Sequence, residues 1–293
     1  MDYVLYIILG ASVGILSGYF GIGGGFVLTP ILLLMGLSPI VAIATSLLYT
    51  IGTSFSGIVA HFRMKNIQFK TGLMMAGAGL VATQVAHPLV LFLERMQLED
   101  IVIPLLYILL AGYFSYSMLK KQVPKDTNQG GSRINWVAPL LIGFVAGFVS
   151  TTLGVGGGFI IVPLSITFLS LPPRTAVGTS LFAVLFIVTA GFITYSTSTK
   201  IDYVLGLTLI IGSVIGGQIG AYITKLYHDD EIKRFLGILY AFTVLNMGLK
   251  MIGLAYVGLA ISLGYIVFLL VMFTIRTVHF FKTKKHETKG EMS

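Results

Sequence analysis

Two segments of this chain repeat one pattern: Gly21-Ile22-Gly23-Gly24-Gly25-Phe26 with Pro30 downstream, and Gly154-Val155-Gly156-Gly157-Gly158-Phe159 with Pro163 downstream. Each glycine costs about 1 kcal/mol relative to alanine inside a helix. Both runs therefore predict a break, with a short helix starting near Phe26 and near Phe159. A helix start leaves N–H groups without partners and carries a partial positive charge. Residues without side chains let an oxyanion reach those groups. Two such starts facing each other would cradle a small anion, with Gly23, Gly24, Gly25 and Phe26 on one side and Gly156, Gly157, Gly158 and Phe159 on the other. The competing reading makes these glycines tight turns or close-packing points, because glycine is frequent in membrane helices. A dinucleotide-binding loop is excluded: phenylalanine takes the third glycine's place, and no βαβ context surrounds either motif.

Hydroxyls come next. Thr45-Ser46 and Thr179-Ser180 sit inside long apolar runs and can hydrogen-bond a substrate oxygen or bond back to their own helix carbonyls. Ser17 and Ser150, with Thr151 and Thr152, precede the breaks by about one turn and could line the same space. Gln84 and Gln218 are expected as buried amides that bind substrate or join helices. His87, just before Pro88, could relay a proton; a neutral histidine satisfied by a nearby carbonyl is the alternative. No Asp or Glu falls at the centre of an apolar run, which argues against a carboxylate-based cation pump. The chain has no cysteine, so disulfides and thiol chemistry are excluded. No cofactor, metal or nucleic acid is expected.

The elements that must hold these groups follow from composition. Of 293 residues, 56% are apolar and 10% charged, with a mean hydropathy of +0.93. Soluble domains carry roughly 25% charged residues. The class is a polytopic all-α membrane protein. Apolar runs fall at 3–20, 26–36, 38–60, 71–93, 100–119, 135–153, 158–170, 173–196, 202–224, 231–252 and 254–278. The runs 26–36 and 158–170 are too short to span, since a crossing needs about 20 residues. The start of the chain reads as a retained span.

Basic residues set the expected topology. With an odd number of crossings per half, only Arg95, Lys200 and Lys250 lie outside, and the other 16 of the 19 Lys and Arg residues face the cytoplasm. The net charge of +8 is thus concentrated on one side. The N-terminus lies outside, the linker and the Lys-rich tail inside, and the two halves are antiparallel. Arg174 fits this pattern as an inner loop residue, and the tail as an anchor to anionic headgroups.

The halves also match residue by residue. Gly10, Gly14 and Ser17 pair with Gly143, Gly147 and Ser150 at an offset of 133. Ala42, Thr45, Ser46, Gly57 and Gln84 pair with Ala176, Thr179, Ser180, Gly191 and Gln218 at 134. This predicts two inverted-topology repeats with short broken helices, organised as repeat 1–119, cytoplasmic linker 120–134, repeat 135–252, and an extra helix and basic tail over 253–293. The stripes Gly10, Gly14, Gly18 and Gly212, Gly216, Gly220 read as helix-packing faces, as does Ala78, Ala82, Ala86.

The doubled glycine break with Phe and Pro, followed by Thr45-Ser46 and Thr179-Ser180, resembles the TauE/SafE sulfite exporter family, also called the 4-toluene sulfonate uptake permease family. The resemblance covers about residues 1–252. It implies an inner-membrane permease for sulfite, organosulfonates or related anions, rather than an enzyme. A passive anion channel, or a permease for a small carboxylate, remains the alternative.

Overall fold

A computed structural model describes residues 2–120, 136–197, 199 and 201–290, with side chains among these from 3 to 279. Apart from Lys120, the expected linker lies outside the described residues. The described residues form helices and contain no strand. In chain order they are α1 (Asp2–Phe20), α2 (Gly25–Leu34), α3 (Pro39–Arg63), α4 (Phe69–Arg95), α5 (Glu99–Leu119), α6 (Val137–Leu153), α7 (Gly158–Phe168), α8 (Pro173–Ser196), α9 (Tyr203–Ile223), α10 (Asp229–Met251) and α11 (Ala255–Gly290). Eight are long and apolar enough to cross a membrane. As the glycine runs require, α2 and α7 are short, at 10 and 11 residues. Helix α6 has 17 described residues, fewer than its apolar run suggested. Helix α11 continues to Gly290, so the basic tail prolongs the last helix.

Glycine stripes decide which helices meet. A Cβ on Gly10, Gly14 or Gly18 of α1 would collide with the α9 backbone at Leu209, Ser213 and Gly217. From the other side, Gly212, Gly216 and Gly220 of α9 abut the α1 backbone at Ile7, Ala11 and Ile15. Without side chains between them the two backbones touch, as small-residue interfaces allow. Residue numbers rise together, so α1 and α9 run parallel. The same contact recurs between α6 and α4, where Gly143 abuts Met75 and Gly147 abuts Gly79. These are the α1–α9 contacts displaced by 133 on one helix and 134 on the other. The first helix of each half thus packs on the fourth helix of the other half, and neither half covers its own stripe.

Long helices run against their sequence counterparts. Gly57 of α3 meets Leu181 of α8, while Gly191 of α8 meets Leu47 of α3. In α5 and α10, the Ser115 hydroxyl donates to the Gly237 carbonyl at 2.9 Å, and Lys250 pairs with Asp100 at 3.5 Å. Both pairs are antiparallel. At one end of the bundle, Lys70 lies 4.0 Å over the Trp136 ring. At that same end Arg174 donates to the Tyr227 carbonyl at 2.6 Å and lies 3.7 Å from Asp229.

Candidate functional site

The two breaks lie against each other at the centre of the molecule, fully buried. Gly23 and Gly24 have φ of 80° and 71°, and Gly156 and Gly157 have φ of 79° and 76°. Side chains rarely adopt that backbone, which is why glycine stands there. A Cβ on Gly23 would lie 3.9 Å from the Gly156 Cα. One on Gly25 would meet the Gly154 carbonyl at 2.5 Å, and one on Gly158 the Gly21 carbonyl at 2.5 Å. Beyond the breaks, Phe26 and Phe159 stack at 4.8 Å, with Tyr240 edge-on to Phe26 at 5.1 Å.

Hydrogen bonding around the breaks is one-sided. Several of their carbonyls are taken. Ser180 donates to Gly21 at 2.9 Å, Thr53 to Gly23 at 3.1 Å, and Thr29 to Gly154 at 2.9 Å. Tyr107 donates to Leu153 at 3.0 Å, and Tyr240 to Phe159 at 2.7 Å. The Gly24 carbonyl accepts from Val27 and Leu28, and the Gly157 carbonyl from Ile160 and Ile161. Among the described residues, no acceptor takes the N–H groups of Gly23, Gly24 and Phe26, or of Gly156, Gly157 and Phe159. Buried N–H groups are nearly always paired. The centre therefore holds surplus donors at two helix starts, an arrangement complementary to an anion.

The sequence-matched hydroxyls divide into two kinds. Ile43, one turn before Thr45-Ser46, packs on Gly154, and Val177, one turn before Thr179-Ser180, packs on Gly21. Ser46 and Ser180, three residues further along on the same helix face, thus sit beside the breaks. Ser180 bonds the Gly21 carbonyl, whereas the Thr179 hydroxyl accepts from the Gln68 N–H at 2.9 Å and faces the α3–α4 loop. Thr45 Oγ1 and Ser46 Oγ are buried without a partner, as are Ser17 Oγ and Ser150 Oγ. Thr152 bonds back to the Phe148 carbonyl, and Thr151 reaches Thr83 at 3.1 Å.

Two expectations need correction. Gln84 and Gln218 are exposed rather than buried, because the close-packed faces of α4 and α9 turn them outward. Gln84 lies 3.4 Å from the Thr194 hydroxyl, and Gln218 lines a separate cavity. His87 is buried edge-on against Tyr195 at 4.8 Å, two turns along α8 from Val188, which packs on Gly156. His61 is fully buried, with Nε2 3.4 Å from the carbonyl of Gly18, three residues before Gly21. Its counterpart Tyr195 holds the corresponding Thr151 carbonyl at 2.9 Å.

Thr29, Thr50 and Thr53 escaped the reading of sequence. Thr50 and Thr53 follow Ser46 at helical spacing, a signal that was available. Thr29 was hidden because its counterpart in the second half is Val162.

This division predicts opposite phenotypes. Ser180→Ala strips a donor from a buried carbonyl and should lower stability by about 1–3 kcal/mol. Ser46→Ala removes no protein hydrogen bond, so its unfolding temperature should stay near wild type while affinity for a bound anion falls several-fold. Thermal unfolding paired with ligand titration separates the two. Unchanged affinity in Ser46→Ala would remove that hydroxyl from the site.

Apolar spans packed around two broken helices define a polytopic helical membrane protein of the transporter class. The chain belongs to the TauE/SafE sulfite exporter family, whose model matches residues 6–247. It is similar to the probable membrane transporter YdhB of Bacillus subtilis, at 32% identity over 78% of this chain and 94% of that protein. YunE of the same organism, also a probable membrane transporter, is 28% identical over 81% of this chain and 94% of its own length. A probable membrane transporter of Methanocaldococcus jannaschii is 28% identical over 82% of this chain and 95% of its own. No solved structure matches the chain.

Proposed function

We propose that this protein is a secondary transporter for a small sulfur-containing oxyanion, such as sulfite or an organosulfonate, held between the two glycine breaks and moved by alternating access. The observation that carries this reading is the surplus of buried N–H donors at the paired helix starts, set beside the unpartnered Ser46 hydroxyl. Oxygens of a pyramidal or tetrahedral anion accept from several donors at once, and no buried base is needed. The family's namesake substrate agrees with that chemistry.

The two halves, 1–119 and 135–252, act as inverted-topology repeats joined by the linker 120–134, with residues 253–293 added outside the repeat. The antiparallel run of α3 against α8 and of α5 against α10 supports this. Such repeats rock about a central site in secondary transporters. The protein sits in the inner membrane with its N-terminus outside and its tail cytoplasmic. Clustering of Arg63, Lys70, Arg174 and Lys225 at one end of the bundle supports that orientation. Thr50 and Val184 fill the space over Gly23 and Gly156, which favours a gated carrier over an open pore.

A thermal-shift panel tests the substrate class. Sulfite, sulfate, thiosulfate, sulfoacetate, taurine and small carboxylates are added to purified protein. A ligand at 100 times its Kd stabilises the fold by about 2.7 kcal/mol. A sulfur oxyanion should raise the melting temperature most. A shift with carboxylates alone would transfer the assignment to a carboxylate permease. Large passive single-channel currents in liposomes would make the protein a channel.

A further inference from the structure

A cavity lies on the flank of the bundle, between α9 and α11 at the end where α3 terminates. Its volume is about 680 Å³, inside the roughly 300–1,000 Å³ range of small-molecule sites. Helix α11 stands outside the repeat and has no counterpart, so this groove occurs once. Its long walls are apolar: Ile219 and Tyr222 of α9 face Leu270, Phe273 and Val278 of α11, with Ile15 behind. Ile219 and Val278 are 46% and 48% exposed, so the groove opens sideways from the bundle.

Only one end of the groove is charged. Arg63 and Lys225 sit there together. Among the described residues the ion pairs are Arg174 with Asp229, Lys250 with Asp100 and Arg276 with Glu231, so no carboxylate neutralises Arg63 or Lys225, and Lys225 lies 5.3 Å over the Tyr222 ring. Two cations without a carboxylate partner, capping an apolar channel that opens toward the bilayer, match a molecule with an anionic head and a hydrocarbon chain. A free inorganic anion would leave the apolar walls uncovered. Basic pockets between membrane helices bind acidic lipid headgroups in this way.

We propose that this groove is a binding site for an anionic glycerophospholipid, with its phosphate on Arg63 and Lys225 and an acyl chain between α9 and α11. The proposal rests only on the chain spanning a membrane, not on the identity of the transported anion, and its test does not read transport.

Native mass spectrometry of the purified full chain, titrated with phosphatidylglycerol or phosphatidylcholine, decides it. Phosphatidylglycerol should be retained preferentially. Arg63→Gln with Lys225→Gln should weaken that retention about 30-fold. Thr274→Trp, which fills the groove and keeps both charges, should also displace the lipid. Glycerol 3-phosphate, the headgroup without chains, should not bind measurably. Equal retention of both lipids by the wild type, unchanged retention in the charge variant, or binding of glycerol 3-phosphate as tight as that of the lipid would each overturn the proposal. The wild-type comparison and Thr274→Trp decide the matter even where the charge variant fails to fold.

Discussion

Gly24→Val and Gly157→Val should each abolish transport while the protein still inserts and assembles in the membrane. The two positions have φ of 71° and 76°, a region where a β-branched residue is an outlier. Space is lacking as well. A Cβ on Gly24 would lie 2.6 Å from Tyr49 Cε1, and one on Gly157 would lie 2.8 Å from the Ala146 carbonyl. The Tyr49 ring cannot swing aside freely, because its hydroxyl donates to the Gly10 carbonyl at 2.7 Å. Valine must therefore rotate the break and turn its N–H groups away from the anion. A hydrogen bond to a charged group contributes about 1.5–3 kcal/mol. Losing two such bonds weakens binding by about 100-fold or more. Gly36→Val is the control: φ there is 91°, but nothing lies within 4 Å and the residue is far from the breaks. It should show the backbone strain and keep transport. Normal uptake or efflux by both Gly24→Val and Gly157→Val would rule out the cradle.

Much of this architecture was legible in the residues, for reasons that also mark where legibility stops. Three glycines in a row carry a local penalty that no tertiary contact needs to specify, so α2 and α7 begin at Gly25 and Gly158, within one residue of expectation. Most helix ends agreed because charge and proline bound the apolar runs. Partner choice was not legible. A stripe such as Gly10, Gly14 and Gly18 says that a backbone will come close, but nothing in it says that the backbone belongs to α9 in the other half. For the same reason Gln84 and Gln218 were misplaced: which face of α4 or α9 is covered depends on that partner. Thr45 and Thr179 are one residue type at one repeat position, yet only Thr179 has a loop N–H within reach. Hydrogen-bond satisfaction is a property of the assembled neighbours, and the two halves are not identical there.

Joining α3 to α8 through the centre should stop transport reversibly. In this structure the Thr50 Cγ2 and Val184 Cγ1 atoms each lie 3.0 Å from where a Gly23 Cβ would be, and 2.8 and 3.4 Å from the equivalent point on Gly156. Those two side chains occupy the space an anion needs to reach both breaks. If the substrate binds between the breaks, α3 and α8 have to part here in every cycle. The chain contains no cysteine, so Thr50→Cys with Val184→Cys places its only two thiols at this point. Disulfide oxidation requires Cβ atoms about 3.5–4.5 Å apart, and a short bifunctional thiol reagent relaxes that demand. Flux through the cross-linked protein should fall to about 1% of that of the same protein after reduction, a difference of roughly 2.7 kcal/mol in the barrier. Comparing oxidised with reduced forms of one variant removes any effect of the substitutions themselves. Saturating substrate should slow the cross-linking, because an anion on the breaks holds the two thiols apart. Undiminished flux after complete cross-linking would mean that the centre never opens, and the path would then have to run elsewhere in the bundle.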